Sequence, residues 1–166
     1  MSRSFTARLL VLCASAAVLL SLACTTATQR VQYGRAALSR ADPQNVSWRY
    51  VQTIDVNCDD AADDIFTATD EHWFYVAAVF GPVRVNSHYS IVAFALGGDY
   101  QESLCGPVSG LTTEPLSSAM ADATGEEELG YRIIEGCSGL RLQSGECDPF
   151  HIYWNHMSNA LDWWRL

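Results

Sequence analysis

Two nearly continuous apolar segments of eight residues constrain the fold of this chain most strongly. Trp73–Phe80 reads WFYVAAVF and is followed by Gly81-Pro82, and Tyr89–Leu96 reads YSIVAFAL and is followed by Gly97-Gly98. Segments of this length that are rich in aromatic and β-branched residues and end at glycine or proline are typical of strands buried on both faces. The two segments therefore predict central strands of a sheet.

Shorter segments around this pair carry the alternation of half-buried strands. Between Trp48 and Val56, apolar residues alternate with polar ones, which indicates a strand. Four further short strands are predicted over Tyr131–Glu135, Leu140–Leu142, Phe150–Trp154 and Leu161–Leu166.

Two segments are candidates for short helices. Pro115–Ala123 has Thr113 and Glu114 near its start and Gly125 beyond its end, as a helix requires, and Asp60–Thr67 is a second candidate. The predicted fold is mainly β, or α+β: a small antiparallel β-sandwich or barrel-like domain with one or two short helices.

The N-terminus has the features of a secretory signal peptide. Arg3 and Arg8 precede the apolar run Leu9–Leu22, and no acidic residue lies among them. The run is shorter than the roughly 20 apolar residues of a membrane span. Residues 1–23 are therefore expected to be cleaved, and residues 47–166 to form a single strand-rich domain outside the cytoplasm.

The end of this segment suggests a lipid anchor. Leu20-Ser21-Leu22-Ala23-Cys24 resembles the lipobox of bacterial lipoproteins, in which the cysteine after the cleavage site is lipidated. The resemblance implies a lipid on Cys24, whereas cleavage after Ala27 would remove this cysteine. Residues 24–46 are polar and predict a tether, with a possible short helix over Val31–Leu38.

Cysteine parity agrees with either fate of Cys24. Cys13 leaves with the signal peptide, and Cys58, Cys105, Cys137 and Cys147 then form two disulfides in an oxidising compartment. Among the three possible pairings, Cys137–Cys147 and Cys58–Cys105 are favoured, because glycines flank Cys137 and precede Cys147 as in a hairpin closed at its base.

Charge excludes one class of partner. The chain has 10 arginines and no lysine against 19 acidic residues, a formal net charge of −9. Such a surface repels nucleic acid and anionic lipid headgroups. Nucleic-acid binding is therefore excluded, and contact with a membrane is expected only through a lipid on Cys24.

Neither the acidic cluster nor the histidines have the spacing of a metal site. The cluster comprises Asp55, Asn57, Asp59, Asp60, Asp63 and Asp64, but Asp60 stands where an EF-hand requires glycine and Phe66 where it requires glutamate. The four histidines show no HExxH or CxxC pattern. No cofactor and no metal are predicted, although an irregular calcium site is an alternative to a solvated loop.

The C-terminal aromatic residues are the candidate ligand-binding group. Tyr153-Trp154-Asn155-His156-Met157-Ser158, followed by Trp163, resembles the second half of a WW domain, where a similar turn leads to a ligand-stacking tryptophan. The first tryptophan and the closing proline of that domain are absent, so a β-hairpin with similar turn chemistry is predicted. Trp163 and Trp164 must face opposite sides of the strand. Tyr153, Trp154, Trp163 and Trp164 are the predicted binding residues, for a sugar or an apolar partner.

These patterns predict a non-enzymatic exported protein that binds a protein or a small ligand. A secreted hydrolase or toxin-like enzyme using His72 or His151 with nearby carboxylates is one alternative, and a structural envelope protein is another. No catalytic residue is assigned. Asn45-Val46-Ser47 is an N-glycosylation site only if the source is eukaryotic.

Overall fold

The computed structural model describes residues 27–41, 45–98, 100–118 and 130–166. The signal segment 1–23 and Cys24 lie outside the described residues. Within them, one helix, α1 (27–38), precedes nine strands. The strands are β1 (Arg49–Ile54), β2 (Asp63–Thr69), β3 (Trp73–Val79), β4 (Tyr89–Leu96), β5 (Ser103–Leu104), β6 (Val108–Pro115), β7 (Ser138–Ser144), β8 (Phe150–Asn155) and β9 (Ala160–Trp164).

The strands form two sheets that face each other as a curled β-sandwich. The first sheet has the order β1-β2-β3-β4-β5 and the second the order β6-β7-β8-β9. Neighbouring strands are antiparallel except β4 and β5, which are parallel. The sequence-based prediction of a small, mainly β sandwich with two disulfides is confirmed, and the described residues contain one helix.

The main core lies between the two sheets. Phe94 of β4 packs there against Phe150 of β8, with ring centroids 4.5 Å apart. A second apolar layer lies on the other face of the first sheet, where α1 buries Ala37 and Leu38. Gly34 lets the helix come close, because a Cβ built on it would lie 2.5 Å from Cζ of Phe66.

The two apolar segments form inner strands of the first sheet, as predicted, and the structure pairs them with each other. Residues 74–79 of β3 are buried on both faces, with the helix layer on one side and the second sheet on the other. In β4, Val92 and Phe94 are buried in the main core, whereas Ile91 and Ala93 are half-buried at the margin of the helix layer. Burial on both faces is therefore complete for β3 and partial for β4.

The prediction of a helix over Asp60–Thr67 is wrong. Residues 63–69 form β2, which pairs with β1 on one side and β3 on the other. Ile65 faces the second sheet, while Phe66 faces α1. The acidic residues at the start of this segment favour a helix locally, but buried neighbours on both faces stabilise a strand. Thr67 and Thr69 are also residues that favour strands.

The helix predicted over Pro115–Ala123 is not formed in its described part. Pro115 is the last residue of β6, and residues 116–118 are not helical. Strand β6 lies at the edge of its sheet, where a terminal proline removes no ladder hydrogen bond that the strand needs. Residues 119–129 lie outside the described residues. The strand predicted over Tyr131–Glu135 is an irregular loop with a turn at its end.

The N-terminal segment that was expected to be a tether contains a packed helix. Within 24–46, α1 covers the short helix considered over Val31–Leu38, and Leu38 is only 1 % exposed. Arg30 of α1 binds both carboxylate oxygens of Asp64 at 2.9 Å, and the Asp64 side chain is 1 % exposed. A polar side chain of this segment, that of Arg30, therefore makes a specific contact with β2.

Both disulfides differ from the favoured pairing. The bonds are Cys58–Cys137 and Cys105–Cys147, with Cα atoms 5.1 and 6.3 Å apart. Cys137 and Cys147 lie at opposite ends of β7, whose seven residues extend roughly 24 Å, far beyond the reach of a disulfide of about 7 Å. Each bond instead joins the first sheet to the second.

Candidate functional site

The C-terminal hairpin presents two different faces. Strand alternation directs His151 and Tyr153 of β8 to the outer face of the second sheet, together with Trp164 of β9. The hairpin is formed as predicted, and Asn155 shapes its turn because its Oδ1 accepts the N–H groups of Met157 and Ser158.

The predicted binding residues divide between these faces. Trp154 and Trp163 pack in the inter-sheet core, where Trp154 contacts Phe80 and Trp163 contacts Phe150, with centroid distances of 5.0 and 5.1 Å. Tyr153 and Trp164 line a cleft on the outer face. The cleft measures about 200 Å³ and is lined by Glu114, Pro115, Leu116, Ser117, Tyr131, His151, Ile152, Tyr153 and Trp164.

An imidazole–carboxylate pair occupies one side of the cleft. Nδ1 of His151 lies 2.8 Å from Oε1 and 3.0 Å from Oε2 of Glu114. The imidazole also stacks on the indole of Trp164, with centroids 4.1 Å apart and an interplanar angle of 13°. The two contacts together hold His151 in one orientation.

A glycine lies on the strand between the two residues of this pair. Gly139 is on β7, between β6 and β8, opposite Glu114. A Cβ built on Gly139 would lie 2.9 Å from the carbonyl oxygen of Ile152 and 3.2 Å from Cδ2 of Leu116, but at an ordinary contact distance of 3.7 Å from Cγ of Glu114. Glu114 therefore crosses β7 at a position that carries no side chain to reach His151.

Tyr131 also lines the cleft. Its hydroxyl donates to the carbonyl of Ser117 and accepts the N–H of the same residue. Its ring meets Tyr153 edge to face at 5.1 Å. Burial raises the pKa of Tyr131, and the negative charge of Glu114 raises it further. The phenol is therefore neutral at physiological pH.

The acidic cluster near β2 is engaged by protein groups. Asp55 accepts N–H groups of residues 58–60, and the buried Asp63 accepts three backbone N–H groups, including that of Gly81 at 2.9 Å. Asp64 pairs with Arg30. In the described ranges, no group of three or more histidine, cysteine, aspartate or glutamate side chains is arranged to hold a metal ion.

Other sequence candidates lie apart from the cleft. Asp70 binds the backbone N–H groups of His72 and Trp73 and the hydroxyl of Tyr75, so its carboxylate orients a turn. The Tyr75 hydroxyl, the largest cause, lowers the pKa of Asp70. Asn45 is exposed at the rim of a second, open cavity of about 530 Å³ beside α1.

Two lining residues of the cleft, and a glycine on the strand beside it, were not identified from the sequence. Glu114 and Tyr131 lie in segments that were predicted as a helix start and a strand, and Gly139 was considered only as a flank of Cys137. Strand order and the path of the loops bring these residues together, and no local sequence pattern predicts either.

Comparisons with known proteins give no family. Neither the family models nor the curated proteins match this sequence, and no solved structure matches the fold. Helical structure in the described ranges has neither the length nor the hydropathy of a membrane-spanning segment.

Proposed function

We propose that this chain is an exported, non-enzymatic binding protein, held at a membrane surface through a lipid on Cys24, and that it binds its ligand in the outer cleft of the second sheet. The cleft carries the proposal, because it combines aromatic walls from Trp164 and Tyr131 with a fixed polar pair, His151 and Glu114. Ligand sites typically combine apolar surface with a few oriented polar groups in this way.

The proposed location is supported by the two disulfides. Cys58–Cys137 and Cys105–Cys147 are compatible with an oxidising, extracytoplasmic compartment. The intact mass of the mature protein from its own host tests the anchor. We expect a diacylglyceryl group on an N-terminal Cys24, and a free thiol on that residue would contradict the anchor.

Binding is favoured over hydrolysis by the surroundings of His151. Among the described residues, its side chain hydrogen-bonds to Glu114, and no hydroxyl or thiol lies within hydrogen-bond distance of the imidazole. A histidine that activates a serine, threonine or cysteine nucleophile needs such a partner. The imidazole is instead placed as a rigid wall beside Trp164.

A ligand screen with matched tryptophan variants tests the binding function. Small molecules that raise the Tm of the mature protein are re-measured on Trp164→Leu and on Trp73→Leu, which removes a tryptophan that is 39 % exposed on the other sheet. We expect Trp164→Leu to abolish the Tm shift of genuine ligands and Trp73→Leu to leave it. Equal shifts in both variants would exclude the cleft.

The enzymatic alternative has its own assay. Ester, amide and glycoside substrates are incubated with the mature protein, with His151→Ala and with His72→Ala, the second being an exposed turn residue. We expect no turnover by any of the three proteins. Turnover that disappears only in His151→Ala would replace the binding function with hydrolysis.

A further inference from the structure

The lining of the cleft attracts positive charge. It combines the aromatic side chains of Tyr131 and Trp164, the latter stacked on His151 on one face, with the carboxylate of Glu114, the single acidic residue among those that line it. An aromatic face and a carboxylate each attract a cation, and the attraction is stronger where water is partly excluded. The cation of Arg141, exposed on the neighbouring strand β7, is not among the lining residues.

Charge at longer range acts in the same direction. The chain carries a formal net charge of −9, so its field draws cationic ligands and repels anionic ones. Tyr131 adds no charge, because burial raises the pKa of its phenol. Glu114 therefore supplies the negative charge of the cleft.

Two polar side chains of the cleft, Glu114 and Tyr131, already make hydrogen bonds within the protein. Both oxygens of Glu114 lie within 3.0 Å of Nδ1 of His151, and the Tyr131 hydroxyl binds the backbone of Ser117 in both directions. A primary ammonium brings three N–H donors that need acceptors. A quaternary ammonium brings none, and aromatic surfaces with a nearby negative charge suit it.

We propose that the cleft binds a quaternary ammonium group, as in choline or a choline headgroup, between the aromatic rings of Trp164 and Tyr131 and beside the carboxylate of Glu114. This inference rests on the proposed binding function. The cavity of about 200 Å³ is below the roughly 300–1,000 Å³ of pockets for drug-sized ligands. It therefore holds a headgroup, with the remainder of the ligand in solvent.

Titration of the mature protein with choline and with its neutral isostere 3,3-dimethylbutan-1-ol isolates the contribution of charge. The measurement is made at pH 8, and backbone amide shifts in NMR spectra locate the site. We expect choline to shift the signals of Tyr131, His151 and Trp164, and to bind about tenfold more tightly than the isostere.

Variants separate the components of this recognition. Glu114→Gln keeps the size of the side chain and removes its charge, so we expect about tenfold weaker choline binding and unchanged binding of the isostere. Trp164→Leu should weaken choline binding by at least as much, and Trp73→Leu should leave it unchanged. Binding of the protein to phosphatidylcholine vesicles, with phosphatidylglycerol vesicles as the control, shows whether the quaternary ammonium group is bound as part of a lipid or as a free molecule.

The outcomes distinguish this inference from the function on which it rests. If the isostere binds as tightly as choline, or if Glu114→Gln leaves choline affinity unchanged, the cationic ligand is wrong while a binding cleft stands. The inference is also overturned if choline shifts only the NMR signals of residues elsewhere on the protein, or if choline does not bind at all. The ligand screen with Trp164→Leu then decides the binding function separately.

Discussion

Nδ1 of His151 lies 2.8 Å from Oε1 of Glu114, although the two residues stand on strands that do not pair. β7 separates β6 from β8, and the contact passes over Gly139. Across a position without a side chain on the middle strand, the contact joins two residues that are 37 positions apart in the chain. This relationship makes the cleft sensitive to substitutions on a strand that contributes no lining residue.

Gly139→Ala is expected to disturb the cleft and destabilise the domain. The new Cβ would lie 2.9 Å from the carbonyl oxygen of Ile152, so the backbone must shift, at a cost of about 1–3 kcal/mol. Urea unfolding measures the loss, and the NMR signals of His151 report the broken pair. Gly110→Ala on β6 is the matched control, because its Cβ would meet no atom within 4 Å and its stability should change by less than about 1 kcal/mol. Equal effects in the two variants would contradict the role of Gly139.

The disulfide pairing is open to direct test by peptide mapping of the unreduced protein. We expect peptides that link Cys58 to Cys137 and Cys105 to Cys147. Replacing the first pair with serine should lower the free energy of unfolding by roughly 4–5 kcal/mol and replacing the second by roughly 4 kcal/mol, because the first closes the longer loop, 79 against 42 residues. A peptide that links Cys137 to Cys147 would contradict the placement of β7.

Arg30→Ala tests whether α1 is part of the folded domain. It leaves the buried carboxylate of Asp64 with the hydroxyl of Thr53 but without its cation, which should cost about 3 kcal/mol in unfolding free energy. Arg84→Ala removes an exposed arginine near β4 and should change stability by less than about 0.5 kcal/mol. If both variants unfold at the same urea concentration as the wild type, α1 contributes no specific contact.

His156 should make the hairpin sensitive to mild acid. Burial lowers its pKa from the ordinary 6.5, and the charge of Arg132 lowers it further. The unfolded chain then takes up a proton at a higher pH than the folded one, so the contribution of His156 to stability is constant above pH 6.5 and is lost as the pH drops through the folded-state pKa. Unfolding curves between pH 8 and pH 5 should show this loss in the wild type and in His88→Gln. They should not show it in His156→Gln, and a loss that persists in that variant would assign it to another group.

Local sequence patterns predict several elements of this fold. The apolar segments around Phe74 and Phe94 predict inner strands, because strands buried on both faces are short, continuous apolar segments rich in aromatic and β-branched residues. The opposite orientations of Trp163 and Trp164 follow from the period of a strand. Asn155 likewise predicts its turn, because its side chain reaches the backbone two and three residues on.

Tertiary structure decided the remainder, wherever a residue's partner is remote in sequence. The acidic residues of β2 suit a helix start locally, yet Asp64 is placed in a strand because Arg30 and two flanking strands supply its partners. The cysteines establish that two disulfides form, but their pairing depends on the direction of β7, which separates Cys137 from Cys147. The aromatic hairpin predicts a candidate site, whereas Glu114 and Tyr131 join it only because strand order and loop path bring them there. The periodicity of a sequence reflects contacts between residues a few positions apart, whereas the register of the sheets depends on residues that are far apart in the chain.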